Sequence, residues 1–226
     1  MPIKVTDLKK TFSDNIIFDG LNIEFQDSRI SCILGPSGVG KSTLFNIISK
    51  IESYDGGTIE GADKKRIAYV FQEDRLLEWK TVYENIAFVI ADEKDVKHRV
   101  DEAIKSVKLT GYEKYYPKEL SGGMRRRVAL ARAFVYNPDI MILDEPFKGL
   151  DIALKEDVMN DFYEQWKKNK FLVIMATHDI DEAVLLAYDI FILSKKPAVV
   201  KFEIDAKTMS KDTLESIIRE HLEEAQ

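Results

Sequence analysis

The sequence predicts an α/β fold: a mostly parallel sheet with both faces covered, short strands at its amino end, and a helical insertion in the middle. Three observations carry this. An apolar run at 30–34 passes through a glycine-rich loop into a helical pattern at 44–51. Strand-like runs at 140–143, 171–176 and 190–193 alternate with amphipathic helices at 152–168 and 180–186, the pattern of parallel strands under helices. Between these halves, over 73–137, strand signals vanish and three helices are predicted, at 81–90, 95–107 and 121–136.

Composition sets the outer limits. With 226 residues, 45% of them apolar, the chain can fill one generous core or two modest ones. Its net charge is −6 and no basic stripe stands out, so no nucleic-acid partner is expected. Cys32, the only cysteine, lies in the 30–34 run and reads as a small buried hydrophobe. The first residues lack the charged-then-apolar order of a signal peptide, and the longest apolar stretches, 171–176 and 183–193, are far short of a bilayer span. The expectation is a protein soluble inside the cell that meets a membrane only through a partner.

Strands at 3–8, 21–25 and 30–34 are separated by polar turns at 13–15, 19–20 and 26–28. Phe12 sits at a turn and reads either as a cover for an adenine face or as a partly buried turn hydrophobe. The loop Gly35-Pro36-Ser37-Gly38-Val39-Gly40-Lys41-Ser42-Thr43 satisfies G-x-x-x-x-G-K-[ST]. Backbone N–H groups converge on phosphate oxygens only where no side chain intervenes, which suits Gly38 and Gly40. Lys41 supplies positive charge, Ser42 a hydroxyl for Mg²⁺, and the helix start favours anions. Nucleotide binding follows from the loop, but not the reaction. Beyond a turn at 54–57, a strand at 66–71 ends at Gln72, whose amide is placed where open α/β sheets bind ligands.

The carboxyl half adds the chemistry. The strand at 140–143 ends in Asp144 and Glu145, so that Asp144 can hold Mg²⁺ through its water shell while Glu145 polarises an attacking water. His178 follows the strand at 171–176, in position for a γ-phosphate contact. Ser121-Gly122-Gly123 opens a helix with a hydroxyl and free N–H groups, a second anion-binding geometry. It belongs to the insertion and does not obviously serve the phosphates at Lys41 of the same chain. A two-fold dimer with each Ser121 facing the other copy's nucleotide resolves this. A strand at 199–204 and a final helix at 211–222, with a charged end and expected on the surface, complete the chain.

From Phe12 to about Pro197 these residues resemble the ATP-binding subunits of ABC transporters. Residues 35–43 are similar to the Walker A loop, Gln72 to the Q-loop, 120–124 to the signature motif, 140–145 to the Walker B strand, Gly149-Leu150-Asp151 to the D-loop and His178 to the switch histidine. The resemblance implies a single ABC domain over 1–226: a P-loop NTPase core (1–72 and 138–226) with an inserted α-helical subdomain (73–137) and a small N-terminal antiparallel β region. It implies ATP and Mg²⁺ as ligands, Phe12 on the adenine, Gln72 with Ser42 and Asp144 at the metal, and Asp151 at a contact between two identical copies. Its implied partners are a transmembrane permease, at the cytoplasmic face of the cell membrane, and an extracytoplasmic solute-binding protein.

The stretches 71–82 and 193–197 are similar to the nitrate, sulfonate and taurine importer branch, where the segment after the Q-loop receives the permease; Leu76, Leu77 and Trp79 read equally as packing residues. Met124, Arg125 and Arg126 stand where the family usually has glutamines, Glu78 where the branch often has proline, and Lys148 where a small residue is common. A soluble DNA-repair ATPase needs a long heptad insertion that 73–137 does not hold, and no Asn-Lys-x-Asp reads guanine. A cassette driving export or lipid extraction remains compatible with these motifs.

Overall fold

The apolar runs assemble into one six-stranded sheet. The structure, a computed structural model that describes residues 2–225, runs β1 (Ile3–Phe12), β2 (Asn15–Phe25), β3 (Ile30–Leu34), α1 (Lys41–Ile48), β4 (Gly56–Glu60), β5 (Ile67–Val70), α2 (Val82–Ala87), α3 (Val96–Ser106), α4 (Gly122–Val135), β6 (Ile140–Asp144), α5 (Ile152–Asn169), β7 (Leu172–Ala176), α6 (Ile180–Leu186), β8 (Asp189–Leu193), β9 (Val200–Asp205) and α7 (Lys211–Glu224). The large sheet has the order β5-β6-β7-β3-β8-β9. Its first five strands are parallel and β9 is antiparallel to β8.

Both faces of this sheet are covered, which is why its strands read as unbroken apolar runs rather than alternating ones. Successive side chains go to opposite faces. Cys32, Met141, Val173 and Ile190 join one core with α5, α6 and α7; Ile33, Ile142, Ile174 and Phe191 join a second with α1 and the β1–β2 hairpin. Burial pushes the Cys32 thiol well above its ordinary range, in keeping with a packing role.

Several expectations are corrected. The amino-terminal strands form the antiparallel sheet that the resemblance implies, β2-β1-β4, but are longer than predicted. Asp19 and Gly20, read as a turn, lie inside β2, where Gly20 at φ 90° and Asp7 at φ 49° accompany a break in register rather than a reversal. The turn read at 54–57 runs into β4, which the sequence reading missed. Helix α1 starts three residues early because Gly40 is its N-cap, and it stops where Lys50 turns left-handed at φ 61°. The last helix is not a surface appendage: Leu214 and Ile218 are buried against the main core.

Helices α2, α3 and α4 enclose a third core around Ile86, Val100, Ile104 and Val128. Thr81 starts α2 with a reciprocal capping box to Glu84. Helix α4 is apolar on two sides, since Ala129, Leu130 and Ala133 belong to the main core. Buried Arg127 ties it to α5 through Asp157 and Asp161, each at 2.5 Å, so α4 is a wall shared by both bodies.

Candidate functional site

Four neighbouring parallel strands end at one edge of the sheet, and each delivers a residue singled out from sequence. In spatial order β5 leads to Gln72, β6 to Asp144 and Glu145, β7 to His178, and β3 to the loop at 35–43. This follows from parallel pairing, which puts all carboxyl ends on one side.

The loop is shaped by two constraints at Gly40. Its φ of 123° disfavours a side chain, and a Cβ there would lie 2.5 Å from Ile17 Cγ2 and 3.0 Å from Phe18 Cζ, so hairpin and loop fit together only through glycine. Lys41 folds back beneath the loop and donates from Nζ to the carbonyls of Gly35 (2.8 Å) and Pro36 (3.0 Å). Burial holds its ammonium below its ordinary range, against the opposing pull of Glu145 and Asp144. Ser37, Gly38 and Ser42 remain exposed. A cleft of about 210 Å³ lies among Gly35, Pro36, Ser37 and His178. A second, of about 400 Å³, is bounded by residues 36–39 and by Lys195 and Lys196, two further cations beside the loop.

Asp144 accepts a hydrogen bond from Ser42 and faces the Tyr69 hydroxyl at 3.4 Å. Burial raises its pKa, with Ser42 acting in the opposite sense. One carboxylate and one hydroxyl, all hard oxygen, fit a Mg²⁺ carried in by nucleotide phosphates; the Gln72 side chain is exposed at the end of the neighbouring strand. Glu145 sits at φ 46°, its N–H bound to the Ala176 carbonyl at 2.9 Å. Lys148 Nζ lies 2.5 Å from its Oε2 and His178 Nδ1 3.5 Å from its Oε1. Burial works to raise the Glu145 pKa, but the Lys148 ammonium and His178 outweigh it and hold it below the ordinary carboxylate range.

Three supports escaped the sequence reading. Arg126, on α4, donates to the carbonyls of Phe71 (2.9 Å) and Gln72 (2.6 Å), and Arg132 to those of Asp74 (3.0 Å) and Arg75 (2.9 Å). They strap the segment after β5 to the helix that begins with Ser121. His178 is flanked by Thr177, bonded to buried Glu182 at 2.7 Å, and by Asp179, paired with Lys155 of α5. Basic residues repeated along α4 were visible in the sequence; that Arg126 and Arg132 reach across to the carbonyls of the segment after β5 was not.

Other predicted residues stand apart. Ser121 caps α4 by accepting from Met124 N at 3.3 Å, and among the described residues no hydrogen bond or ion pair joins 121–123 to the 35–43 loop. Gly123 is explained by packing, since a Cβ would lie 2.3 Å from Leu154. Asp151 caps α5 through Leu154 N at 3.0 Å. Phe12 closes the β1–β2 hairpin, 42% exposed, with Lys10 Nζ 4.4 Å from its ring centroid. Leu76 packs against two cores, whereas Trp79 is 73% exposed. A cavity of about 470 Å³ lies elsewhere, between α3 and the ends of α4 and α5, and its Arg66 is already paired with Glu93 at 2.6 Å.

Comparison with known proteins points to one family. Residues 18–148 match the family profile described as ABC transporter. The chain is 38% identical over 219 residues to an aliphatic sulfonates import ATP-binding protein, SsuB, of Bacillus cereus, covering 92% of this chain and 87% of that one. It superposes on cbiO1 from Clostridium perfringens, part of the ABC transporter complex cbiONQ, with TM-score 0.83 and 29% identity over 96% of this chain and 93% of that one. It also superposes on the dimeric bacterial ABC transporter cassette MJ0796, with TM-score 0.80 and 27% identity over 90% and 98%. That cassette has also been solved as a dimer in a post-hydrolysis state bound to ADP and Pi.

Proposed function

Because this chain belongs to the ABC transporter family of ATP-binding proteins, we propose that it hydrolyses ATP to power import of a small solute of the sulfonate class through a membrane permease. The observation that carries the site reading is the convergence of the 35–43 loop, Asp144, Glu145, His178 and Gln72 at adjoining strand ends.

Lys41 and the open N–H groups of the loop bind the β- and γ-phosphates, with Lys195 and Lys196 raising the local potential. Phe12 covers the adenine. Ser42, Asp144 and Gln72 would hold Mg²⁺, which when bound neutralises phosphate charge. Glu145 takes a proton from the attacking water and His178 contacts the γ-phosphate. Ser121, Gly122 and Gly123 complete the site of a second, identical copy, with Asp151 at the contact; their separation from the loop of their own chain supports this arrangement, as do the dimers of the similar cassette MJ0796. Residues 73–137 act as the subdomain that swings on closure and engages the permease, with exposed Trp79 available for that contact. No helix among the described residues is long and apolar enough to cross a membrane, so the membrane is reached through the permease, at its cytoplasmic face, with an extracytoplasmic solute-binding protein delivering the solute.

Extraction of the tagged chain from its native membranes in mild detergent tests the assignment. A multi-span permease should co-purify, and adding the solute-binding protein with a sulfonate should stimulate ATP hydrolysis. Recovery of soluble partners or nucleic acid alone would overturn it. At the site, Lys41→Ala should weaken ATP binding roughly 10–100-fold, the scale of one charge-assisted hydrogen bond to phosphate. Equilibrium titration with a fluorescent ATP analogue measures this, and an unchanged affinity contradicts the phosphate-loop assignment.

A further inference from the structure

We infer that Lys148 is a restraint on Glu145, keeping ATP hydrolysis slow until a second copy closes over the segment that carries it. The inference rests on the reading of Glu145 as the base. It starts from the local chain path. Phe147 is fully buried and packs on Phe162, so the backbone leaving β6 is anchored one residue before Lys148. Lys148 N approaches the Glu145 carbonyl at 3.3 Å, closing a turn that brings side chains three residues apart together. The ammonium then lies 2.5 Å from Oε2, while the other carboxylate oxygen faces His178 at 3.5 Å. Oε2 is buried and receives no directed hydrogen bond, so the contact with Lys148 is a charge pairing.

A carboxylate can accept a proton from water only through an oxygen that it can turn toward that water. In this arrangement each oxygen already faces a nitrogen. The two nitrogens differ in what can remove them. His178 has a place on the γ-phosphate and is drawn off Oε1 when nucleotide binds. Lys148 has no such place: its side chain is 46% exposed and points from the loop surface onto Oε2, three residues before Asp151. Lys41 and Asp144 also act on Glu145 electrostatically, but both are buried within the phosphate site, whereas Lys148 reaches Glu145 from a half-exposed position. The residue after it, Gly149, has φ 79°, and nothing lies within 4 Å of where a Cβ would stand, so the backbone beside Lys148 is uncovered on that side. A second copy docking at Asp151 therefore meets Lys148 early and can draw its ammonium away.

The test is steady-state MgATP hydrolysis by the full chain without permease, for the native protein, Lys148→Ala, Lys148→Met, Lys148→Arg, Glu145→Gln and the Glu145→Gln/Lys148→Ala double variant. Removing the charge should raise kcat roughly 2–5-fold, the weight of a partly exposed ion pair, with KM within about twofold. Met, which keeps the stem, should match Ala, and Arg, which keeps the charge, should match the native rate. In the Glu145→Gln background the Ala substitution should change nothing, because the carboxylate it releases is gone. A rate for Lys148→Ala at or below native, or the same acceleration in the double variant, overturns the restraint. Near-native hydrolysis by Glu145→Gln alone removes the base reading itself, and so separates the two failures.

Discussion

Glu145→Gln should bind ATP as tightly as the native chain yet turn it over about 10²–10⁴-fold more slowly. The substitution keeps the shape of a side chain whose backbone is pinned to β7 through the Ala176 carbonyl, so it removes charge and basicity and little else. An amide cannot take the proton that water must shed, while Lys41 and the loop N–H groups, to which the proposal assigns phosphate binding, are untouched. In the proposed cycle hydrolysis ends the closed state, so the variant should also accumulate as an ATP-bound dimer by size-exclusion chromatography. Single-turnover hydrolysis separates chemistry from product release. A rate within tenfold of native would take Glu145 out of the base role and leave His178 or a water-mediated route to carry the reaction.

That prediction draws on residues legible in sequence, and it is instructive which ones were. The loop at 35–43, Gln72, Asp144–Glu145 and His178 each follow an apolar run, and parallel pairing of such runs brings their ends to one edge. Motif and topology thus reinforce each other, and the central sheet could be read within a residue or two. The hairpin could not, because its strands are bent by residues at positive φ, Asp7 and Gly20, which look like turn formers in one dimension. Helix α4 was found, but a helix serving two cores shows no single polar face, so the inward-facing roles of Arg126, Arg127 and Arg132 were hidden. The same limit applies to Lys148. Its departure from the family pattern was visible, while its approach to Glu145 depends on a left-handed residue and a turn that only the folded chain specifies.

Phe162→Ala should cost about 3–5 kcal/mol of folding stability, the range for truncating a fully buried aromatic that leaves a cavity. Phe162 lies on α5 with 1% of its surface exposed, between two other rings: Phe134, at the end of α4, with centroids 5.7 Å apart, and Phe147, just after Glu145, at 6.3 Å. It therefore joins the helix that begins at Ser121 to the segment that carries the base. Phe134 also touches Phe171, and Trp166, one turn further along α5, is held by its bond to the Phe171 carbonyl at 2.8 Å. Neighbours fixed in this way have little freedom to collapse into the vacated volume, which places the expected loss in the upper part of the range rather than near 1 kcal/mol. Urea unfolding followed by circular dichroism reads the loss as a lower midpoint at unchanged slope. ATP affinity of the folded fraction should stay within about threefold of native, since no phosphate-loop residue touches the ring. A stability change below about 1.5 kcal/mol would mean that the rings close the gap, and that the coupling of α4 to the Glu145 segment runs through Arg127 and its aspartates instead.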